Sequence, residues 1–178
     1  MSKGSKSKGL IMVNTGDGKG KSTAAFGLAL RALGHDMRVC IISFMKGDLS
    51  SGELRAFREL LPMVRFEPTG TADFVDRDNP AAADLDEAAR GMKLAAEAFA
   101  GEYDMVILDE INVAVDFGLV SLEALLRLLE SKPPAMHVVL TGRSAAQRVL
   151  DIADTVSIIE EGKHHFYKGI AAQPGIEH

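Results

Sequence analysis

The chain has 178 residues, of which 47% are hydrophobic and 25% charged, and its formal net charge is −5. This length suits one domain with a sizeable core, and it argues against a two-domain enzyme. The acidic balance disfavours nucleic acid or an anionic membrane as a partner, so we expect small-molecule ligands.

The cysteine content and the lengths of the apolar runs indicate the cellular compartment in which the protein is expected. The single cysteine, Cys40, excludes an intrachain disulfide, and its apolar neighbours predict a buried strand residue in a reducing environment. The longest apolar runs are too short for a membrane span, and the start of the chain lacks the apolar core of a signal peptide. We therefore expect a soluble, cytoplasmic protein.

Predicted strands and helices alternate along one domain, residues 10–178, after a flexible basic tail, residues 1–9, of Gly, Ser and Lys following the initiator Met. Gly34 is expected to end the first helix in a left-handed conformation, and Pro62 to stop the second. This alternation is typical of an α/β fold with a doubly wound, mostly parallel sheet of five to six strands. The predicted order is strand 10–14, helix 21–33, strand 38–44, helix 52–61, strand 64–67, helix 85–99, strand 105–108, helix 122–129, strand 137–141, helix 145–152 and strand 155–159.

A polar stretch, Thr69–Ala83, follows the third predicted strand. It is rich in small residues and aspartates and contains Pro80, which predicts a surface loop. Loops at strand ends of α/β proteins often hold ligands. We therefore regard this stretch as a candidate ligand-binding loop.

The most specific motif runs from Thr15 to Ser22, between the first strand and the first helix. It ends in the Gly-Lys-Ser of a phosphate-binding loop (P-loop), with Thr15 where the pattern has its first glycine. Backbone N–H groups and the positive end of the helix favour a phosphate chain there, with Lys21 as the catalytic cation. The alternative is an ordinary glycine-rich turn. The predicted nucleotide-binding residues of this loop are Gly16, Asp17, Gly18, Lys19, Gly20, Lys21, Ser22 and Thr23.

Two acids, Asp109 and Glu110, follow a buried apolar strand. A P-loop protein places a carboxylate at this position to hold a metal ion or its water. We therefore predict a Mg²⁺ site, which Mn²⁺ can also fill, made of Ser22, Asp109 and Glu110, and we assign Glu110 a catalytic role; solvated loop acids are the alternative. Arg143 ends another strand, where it either lies beside the phosphates or forms a local surface salt bridge.

The histidines carry weaker signals. His164 and His165 are adjacent, and neighbouring side chains of an extended segment point to opposite sides, so we expect no joint metal site. His35 and His178 are expected to be exposed. Because the sequence offers no convincing nucleophile with a base, the chemistry would depend on positioning and on charge at the phosphates.

Several segments together resemble one family, the ATP:corrinoid adenosyltransferases of cobalamin biosynthesis and salvage, also called cob(I)yrinic acid a,c-diamide adenosyltransferases. The resemblance extends in consistent order from about residue 10 to residue 177 and implies a P-loop NTPase-like (RecA-like) fold. It is more specific than a P-loop alone, because the loop insertion and the C-terminal segment also match. The matching segments are Thr15–Gly27, Val106–Asn112, Val138–Arg143, Lys163–His164 and Gly169–Glu177.

The resemblance implies that the 5′-deoxyadenosyl group of ATP is transferred to the Co(I) of a reduced corrinoid, with release of triphosphate. The acceptor would be cob(I)alamin or cob(I)yrinic acid a,c-diamide. Co(I) needs no deprotonation, so a site without a general base is reasonable. The family also implies residues 16–22 as the nucleotide cradle, Ser22 and Glu110 on the metal side, a homodimer, and a reduced flavoprotein as electron donor.

Two segments depart from the family pattern. Where relatives have Gly-x-Gly-Phe, this chain has Gly70–Val75, in which Phe74 is either a packing surface for the corrin ring or a core residue beneath the loop. Where relatives have Thr-Glu-Met, it has Ser157–Ile159. Two alternatives therefore stay open: a small-molecule P-loop kinase or NTPase, and a non-catalytic regulator that binds a nucleotide or a corrinoid.

Overall fold

The computed structural model describes residues 8–47, 52–60 and 63–177. Most of the predicted tail, together with Pro62 and His178, lies outside the described residues. Lys8 donates a hydrogen bond to the Asp154 carboxylate at 2.7 Å, and the Gly9 N–H donates to the Pro134 carbonyl at 2.7 Å. Lys8 and Gly9, which the sequence analysis placed in the tail, therefore contact the domain.

Within the described residues, six strands form one parallel sheet in the order β3-β2-β4-β5-β1-β6. All crossover connections carry helices, as an all-parallel sheet requires. The strands are β1 Ile11–Thr15, β2 Val39–Ser43, β3 Val64–Pro68, β4 Met105–Asp109, β5 His137–Thr141 and β6 Thr155–Ile158.

The helices cover both faces of the sheet, and a 3₁₀ turn, His165–Lys168, follows β6. Within the described ranges no helix is both long and apolar enough to cross a membrane. The helices are α1 Lys21–Leu33, α2 Gly52–Leu60, α3 Ala82–Ala100, α4 Ile111–Asp116, α5 Leu122–Glu130 and α6 Gln147–Ile152.

Alternate residues of the central strands serve two separate cores. In β4, Val106 and Leu108 face a core shared with α3 and α5, whereas Met105 and Ile107 face a core shared with α1 and α2. Cys40 in β2 is completely buried, as predicted, and burial raises the pKa of its thiol to about 12. The doubly wound α/β architecture that the sequence predicted is confirmed.

Two local predictions differ from the structure. Gly34 has φ −63°, so the prediction of a left-handed cap was wrong; the chain makes one further turn and Asp36 takes the left-handed conformation, with φ 58°. Aspartate tolerates this conformation better than most residues with a side chain. The short helix α4 was not predicted, because its six residues are too few to display a clear helical period.

The topology decides which strand ends meet. Strand β5 lies between β1 and β4, so its last residue, Thr141, stands between the glycine loop after β1 and the acids at the end of β4. In parallel sheets ligands bind outside the carboxyl ends of the strands. The residues that the sequence analysis predicted to bind the nucleotide and the metal therefore lie along the edge formed by the carboxyl ends of the strands.

Candidate active site

The glycine loop connects β1 directly to α1. Positive φ angles fall on Gly16, at 97°, and Gly20, at 121°. Thr15 is the last residue of β1 and is buried, so its position needs no glycine. This geometry explains how the loop accommodates a threonine where the general pattern has its first glycine.

The loop packs closely against the chain that leaves β6. The Gly18 N–H donates to the Ile159 carbonyl at 2.8 Å, and a Cβ at Gly18 would lie 2.4 Å from the Glu160 carbonyl oxygen. A Cβ at Gly16 would lie 2.5 Å from the Ile159 carbonyl oxygen. These two glycines therefore let the loop approach its neighbouring backbone.

Lys21 begins α1 and is buried. Its Nζ donates to the Gly18 carbonyl at 2.6 Å, which draws the ammonium group back over the loop. Burial lowers the pKa of Lys21, and the nearby Arg143 lowers it further. An anion bound in the loop would stabilise the charged form of this lysine.

Asp109 is completely buried at the end of β4, and both of its carboxylate oxygens accept hydrogen bonds. Thr141 Oγ1 donates to Oδ1 at 2.7 Å; Ser43 Oγ and Lys46 Nζ donate to Oδ2 at 2.6 and 2.8 Å. Burial alone would raise the pKa of Asp109, but Lys46 and the hydrogen bonds outweigh it and lower that pKa. Asp109 is therefore an ionised residue that holds the ends of three strands together.

Glu110, the next residue, has a left-handed backbone with φ 59°, which is unusual for a side-chain-bearing residue. Its N–H donates to Thr141 Oγ1 at 2.9 Å. The Glu110 side chain lines a cavity together with Lys21 and Ser22. Burial raises the pKa of Glu110, and the Asp109 charge adds to the effect.

A cavity of about 500 Å³, the phosphate cavity, lies over the loop. It gathers most of the nucleotide-binding residues predicted from the sequence, whereas Gly16 and the buried Asp109 are not among the described residues that line it. Arg143 Nη2 donates to the Asp17 carbonyl at 3.2 Å, which places this arginine at the mouth of the loop. The lining residues of the phosphate cavity are Asp17, Gly18, Lys19, Gly20, Lys21, Ser22, Thr23, Lys46, Glu53, Glu110, Val113, Arg143, His164, Ile176 and Glu177.

A second cavity of about 370 Å³, the side cavity, adjoins the first. Phe74 lines it and is fully exposed, so the alternative of a core phenylalanine was wrong. The loop bearing Phe74 is held to the end of β2, because the Lys46 N–H donates to the Thr69 carbonyl and the Gly47 N–H to the Thr71 carbonyl. The side cavity shares Lys46, Glu53 and Glu177 with the phosphate cavity.

The sequence analysis missed Lys46 and Glu177. Lys46 follows β2, and the rule that parallel strands end at the same edge would have pointed to it. Attraction to Asp109 outweighs burial and raises the pKa of Lys46. Glu177 reaches the loop from a distant part of the chain: its Oε1 lies 3.6 Å from Lys19 Nζ and 3.2 Å from His165 Nε2.

The adjacent histidines do not point to opposite sides. The rings of His164 and His165 stack with their centroids 4.5 Å apart, because His165 begins a 3₁₀ turn and the segment is not extended there. In the described parts of the chain, no three His, Cys, Asp or Glu side chains are grouped as a metal site would need. His35 is exposed, as predicted.

Comparisons with known proteins agree on one family. The model of the family "ATP:corrinoid adenosyltransferase BtuR/CobO/CobP" matches residues 7–178. The corrinoid adenosyltransferase of Pseudomonas aeruginosa is 38% identical over 174 residues, which are 96% of this chain and 84% of that protein. The corrinoid adenosyltransferase of Escherichia coli K12 is 37% identical over 176 residues, 96% of this chain and 86% of that protein.

A solved structure supports the fold alone. The flagellar accessory protein FlaH from Methanocaldococcus jannaschii superimposes with a TM-score of 0.58 at 16% identity, covering 88% of this chain and 73% of that one. The family match covers nearly the whole sequence, and it includes the glycine loop, the acids after β4 and the C-terminal segment. The chain therefore belongs to the ATP:corrinoid adenosyltransferase family.

Proposed function

We propose that this protein transfers the 5′-deoxyadenosyl group of ATP to the cobalt of a reduced corrinoid, in the biosynthesis or salvage of adenosylcobalamin. The observation that carries the proposal is the contact between the two cavities. One has the loop and cations that a triphosphate needs, and the other adjoins it with an exposed aromatic ring and shares Lys46, Glu53 and Glu177. A nucleotide and a second large substrate can therefore meet at a common wall.

The reaction makes modest demands on the protein. The electron pair of Co(I) forms the bond to C5′ while the C5′–O bond breaks, and its electrons leave with triphosphate; cobalt becomes Co(III). Because no proton is removed from the nucleophile, the site needs no general base. Its charged groups are needed to bind the triphosphate and to stabilise the charge that the triphosphate gains as it leaves. Lys21, Lys19 and Arg143 are the cations available to stabilise the leaving triphosphate.

The donor atoms at the loop suit Mg²⁺, with Mn²⁺ as a substitute. Mg²⁺ prefers oxygen ligands and commonly takes one or two carboxylates together with phosphates and water. Ser22 and Glu110 line the phosphate cavity, while Asp109 lies behind it within hydrogen-bonding reach of Ser22. We propose that Ser22 and Glu110 hold the metal and that Asp109 orients Ser22, and the metal would neutralise phosphate charge when bound.

The family resemblance leads us to propose two further partners. A second copy of the chain would form a homodimer. A reduced flavoprotein would supply the electron that generates Co(I).

The decisive test is an anaerobic spectral assay with chemically reduced cob(I)alamin and MgATP, followed by identification of both products. We expect adenosylcobalamin and triphosphate. Formation of ADP and phosphate would favour the kinase or NTPase alternative, and tight binding without any product would favour the regulator.

Lys21→Ala tests the role of the loop within the same assay. Because Lys21 is the buried cation of the loop, its loss should lower turnover by about 10²-fold or more. Lys93→Ala, at an exposed position of α3, should leave the rate unchanged. Equal rates for the Lys21 variant and the wild type would contradict the proposed site.

A further inference from the structure

The side cavity carries charge of the opposite sign from what an anionic substrate would need. Its described lining holds the carboxylates of Glu53, Asp73 and Glu177 and one ammonium group, that of Lys46. Glu177 is paired with Lys19, at 3.6 Å, and contacts His165, so Glu53 and Asp73 carry the negative charge of the cavity. Lys46 is already paired with the buried Asp109, with Nζ and Oδ2 2.8 Å apart. The cavity therefore offers hydrogen-bond acceptors with excess negative charge.

Three of the four cations of the site do not reach the side cavity. Lys19, Lys21 and Arg143 line the phosphate cavity and are absent from the described lining of the side cavity, whereas Lys46, Glu53 and Glu177 line both cavities and Asp73 lines the side cavity alone. This separation suits a triphosphate on one side of the common wall and an uncharged or cationic group on the other. An acceptor rich in carboxylates would meet like charge, which costs affinity and slows association.

The two acidic groups belong to different elements of the fold. Thr71 Oγ1 donates to Asp84 Oδ1 at 2.7 Å, and the Gly70 N–H donates to Glu87 Oε2 at 3.0 Å, so the start of the loop that bears Asp73 is fixed to α3. Glu53 lies in the first turn of α2. Their negative charges are thus presented to the cavity from two separate elements.

Resting on the proposed function, we infer that the acceptor is a corrinoid whose peripheral side chains are amides, and that Glu53 and Asp73 select it. Primary amides donate N–H hydrogen bonds to carboxylates, whereas free peripheral carboxylates are repelled by them. The fully amidated cobinamide should therefore be preferred over cob(I)yrinic acid a,c-diamide, which retains free carboxylates. Both lack the lower nucleotide loop of cobalamin, so they form a matched pair.

The experiment compares kcat/KM for the two reduced corrinoids under anaerobic conditions with saturating MgATP. For the wild-type protein at low salt we expect a preference for cobinamide of about tenfold or more. The double variant Glu53→Gln/Asp73→Asn should reduce that preference by about threefold or more, and added salt should reduce it in the wild type, since screening weakens exposed charges. Asp78→Asn, on the same loop but outside the cavity lining, should leave the preference unchanged.

Binding provides a readout that is independent of turnover. Equilibrium dialysis of the two Co(II) corrinoids against the MgATP-loaded protein should show the same order of affinity and the same response to the double variant. Equal or better use of the diamide acid, or a preference that neither the double variant nor salt alters, would overturn this inference while leaving the adenosyl transfer intact. If neither corrinoid is adenosylated, the proposed function itself fails.

Discussion

Thr141 connects two acids with one hydroxyl group. Its Oγ1 donates to Asp109 Oδ1 at 2.7 Å and accepts from the Glu110 N–H at 2.9 Å. The side chain is completely buried, so water has little access to replace it. A serine or threonine at this strand end therefore orders both the buried carboxylate and the one that enters the cavity.

Thr141→Val tests this connection with nearly unchanged volume. It leaves a buried carboxylate oxygen and a backbone N–H each short of a partner, so the free energy of unfolding should fall by roughly 2–4 kcal/mol. Denaturant titration measures the change. The matched control, Thr155→Val on the exposed strand β6, should alter stability by less than about 0.5 kcal/mol, and equal effects of the two variants would contradict the role of Thr141.

Cys40 gives a prediction for alkaline pH. The folded thiol keeps its proton up to a pKa of about 12, whereas the unfolded thiol loses it above its ordinary value of 9.0. Between these values the unfolded state binds fewer protons, so the free energy of unfolding should fall as pH rises, by up to about 1.4 kcal/mol per pH unit.

Two measurements examine the thiol. A thiol reagent at pH 8 should leave the native protein unlabelled and modify one group in denaturant. Cys40→Ala should show a weaker loss of stability between pH 9 and pH 10 than the wild type. Rapid labelling of the native protein would show that the thiol is not buried as described.

The glycine loop and the end of β6 form one packed unit. Gly18 lies so close to Glu160 that any side chain must displace backbone, the Cβ distance being 2.4 Å. Position 18 is a variable position in the general phosphate-loop pattern. Its requirement for glycine therefore comes from the neighbouring segment, independently of the nucleotide.

Gly18→Ala should shift the loop, lowering the free energy of unfolding by about 1–3 kcal/mol and weakening ATP binding by about tenfold or more. Gly27→Ala is the control, since a Cβ at this exposed position of α1 meets nothing within 4 Å. That variant should gain roughly 0.5–1 kcal/mol from helix propensity. Calorimetry measures both quantities, and unchanged ATP affinity in Gly18→Ala would refute the packing argument.

The C-terminal segment of the chain packs against the glycine loop. Glu177 lies 158 positions after Lys19 in the chain, yet its carboxylate lies 3.6 Å from that ammonium group and contacts His165 as well. A backbone hydrogen bond from Gln173 lowers the pKa of Glu177, so it is charged at neutral pH. In this structure the Glu177 carboxylate is therefore paired with Lys19, a cation that a bound triphosphate would also contact.

Glu177→Gln should therefore strengthen ATP binding, because Lys19 no longer has to leave an ion pair. Exposed ion pairs contribute up to about 1 kcal/mol, which corresponds to an improvement of about fivefold or less. Titration calorimetry with MgATP measures it, and Glu160→Gln serves as a control acid near the loop. Weaker ATP binding in Glu177→Gln would mean that the carboxylate supports the nucleotide instead of competing with it.

The strands, most of the helices and the glycine-loop motif could be predicted from local patterns in the sequence. Alternation of buried strands with amphipathic helices is a local property, so the strand bounds agree with the structure to within about one residue. The loop from Gly16 to Ser22 and the acids Asp109 and Glu110 are contiguous motifs, and each motif indicates its ligand. The short helix α4 and the cap at Asp36 escaped prediction because their signals span too few residues.

Which distant residues meet at the site depends on the order of the strands in the folded sheet. Lys46 reaches Asp109 because β2 lies next to β4, and Thr141 stands between the motifs because β5 lies between β1 and β4. Glu177 reaches Lys19 through a segment without regular periodicity. Local sequence patterns reflect the conformational preferences of neighbouring residues. Strand order, and the approach of the C-terminal segment to the glycine loop, depend instead on packing between elements that are far apart in sequence.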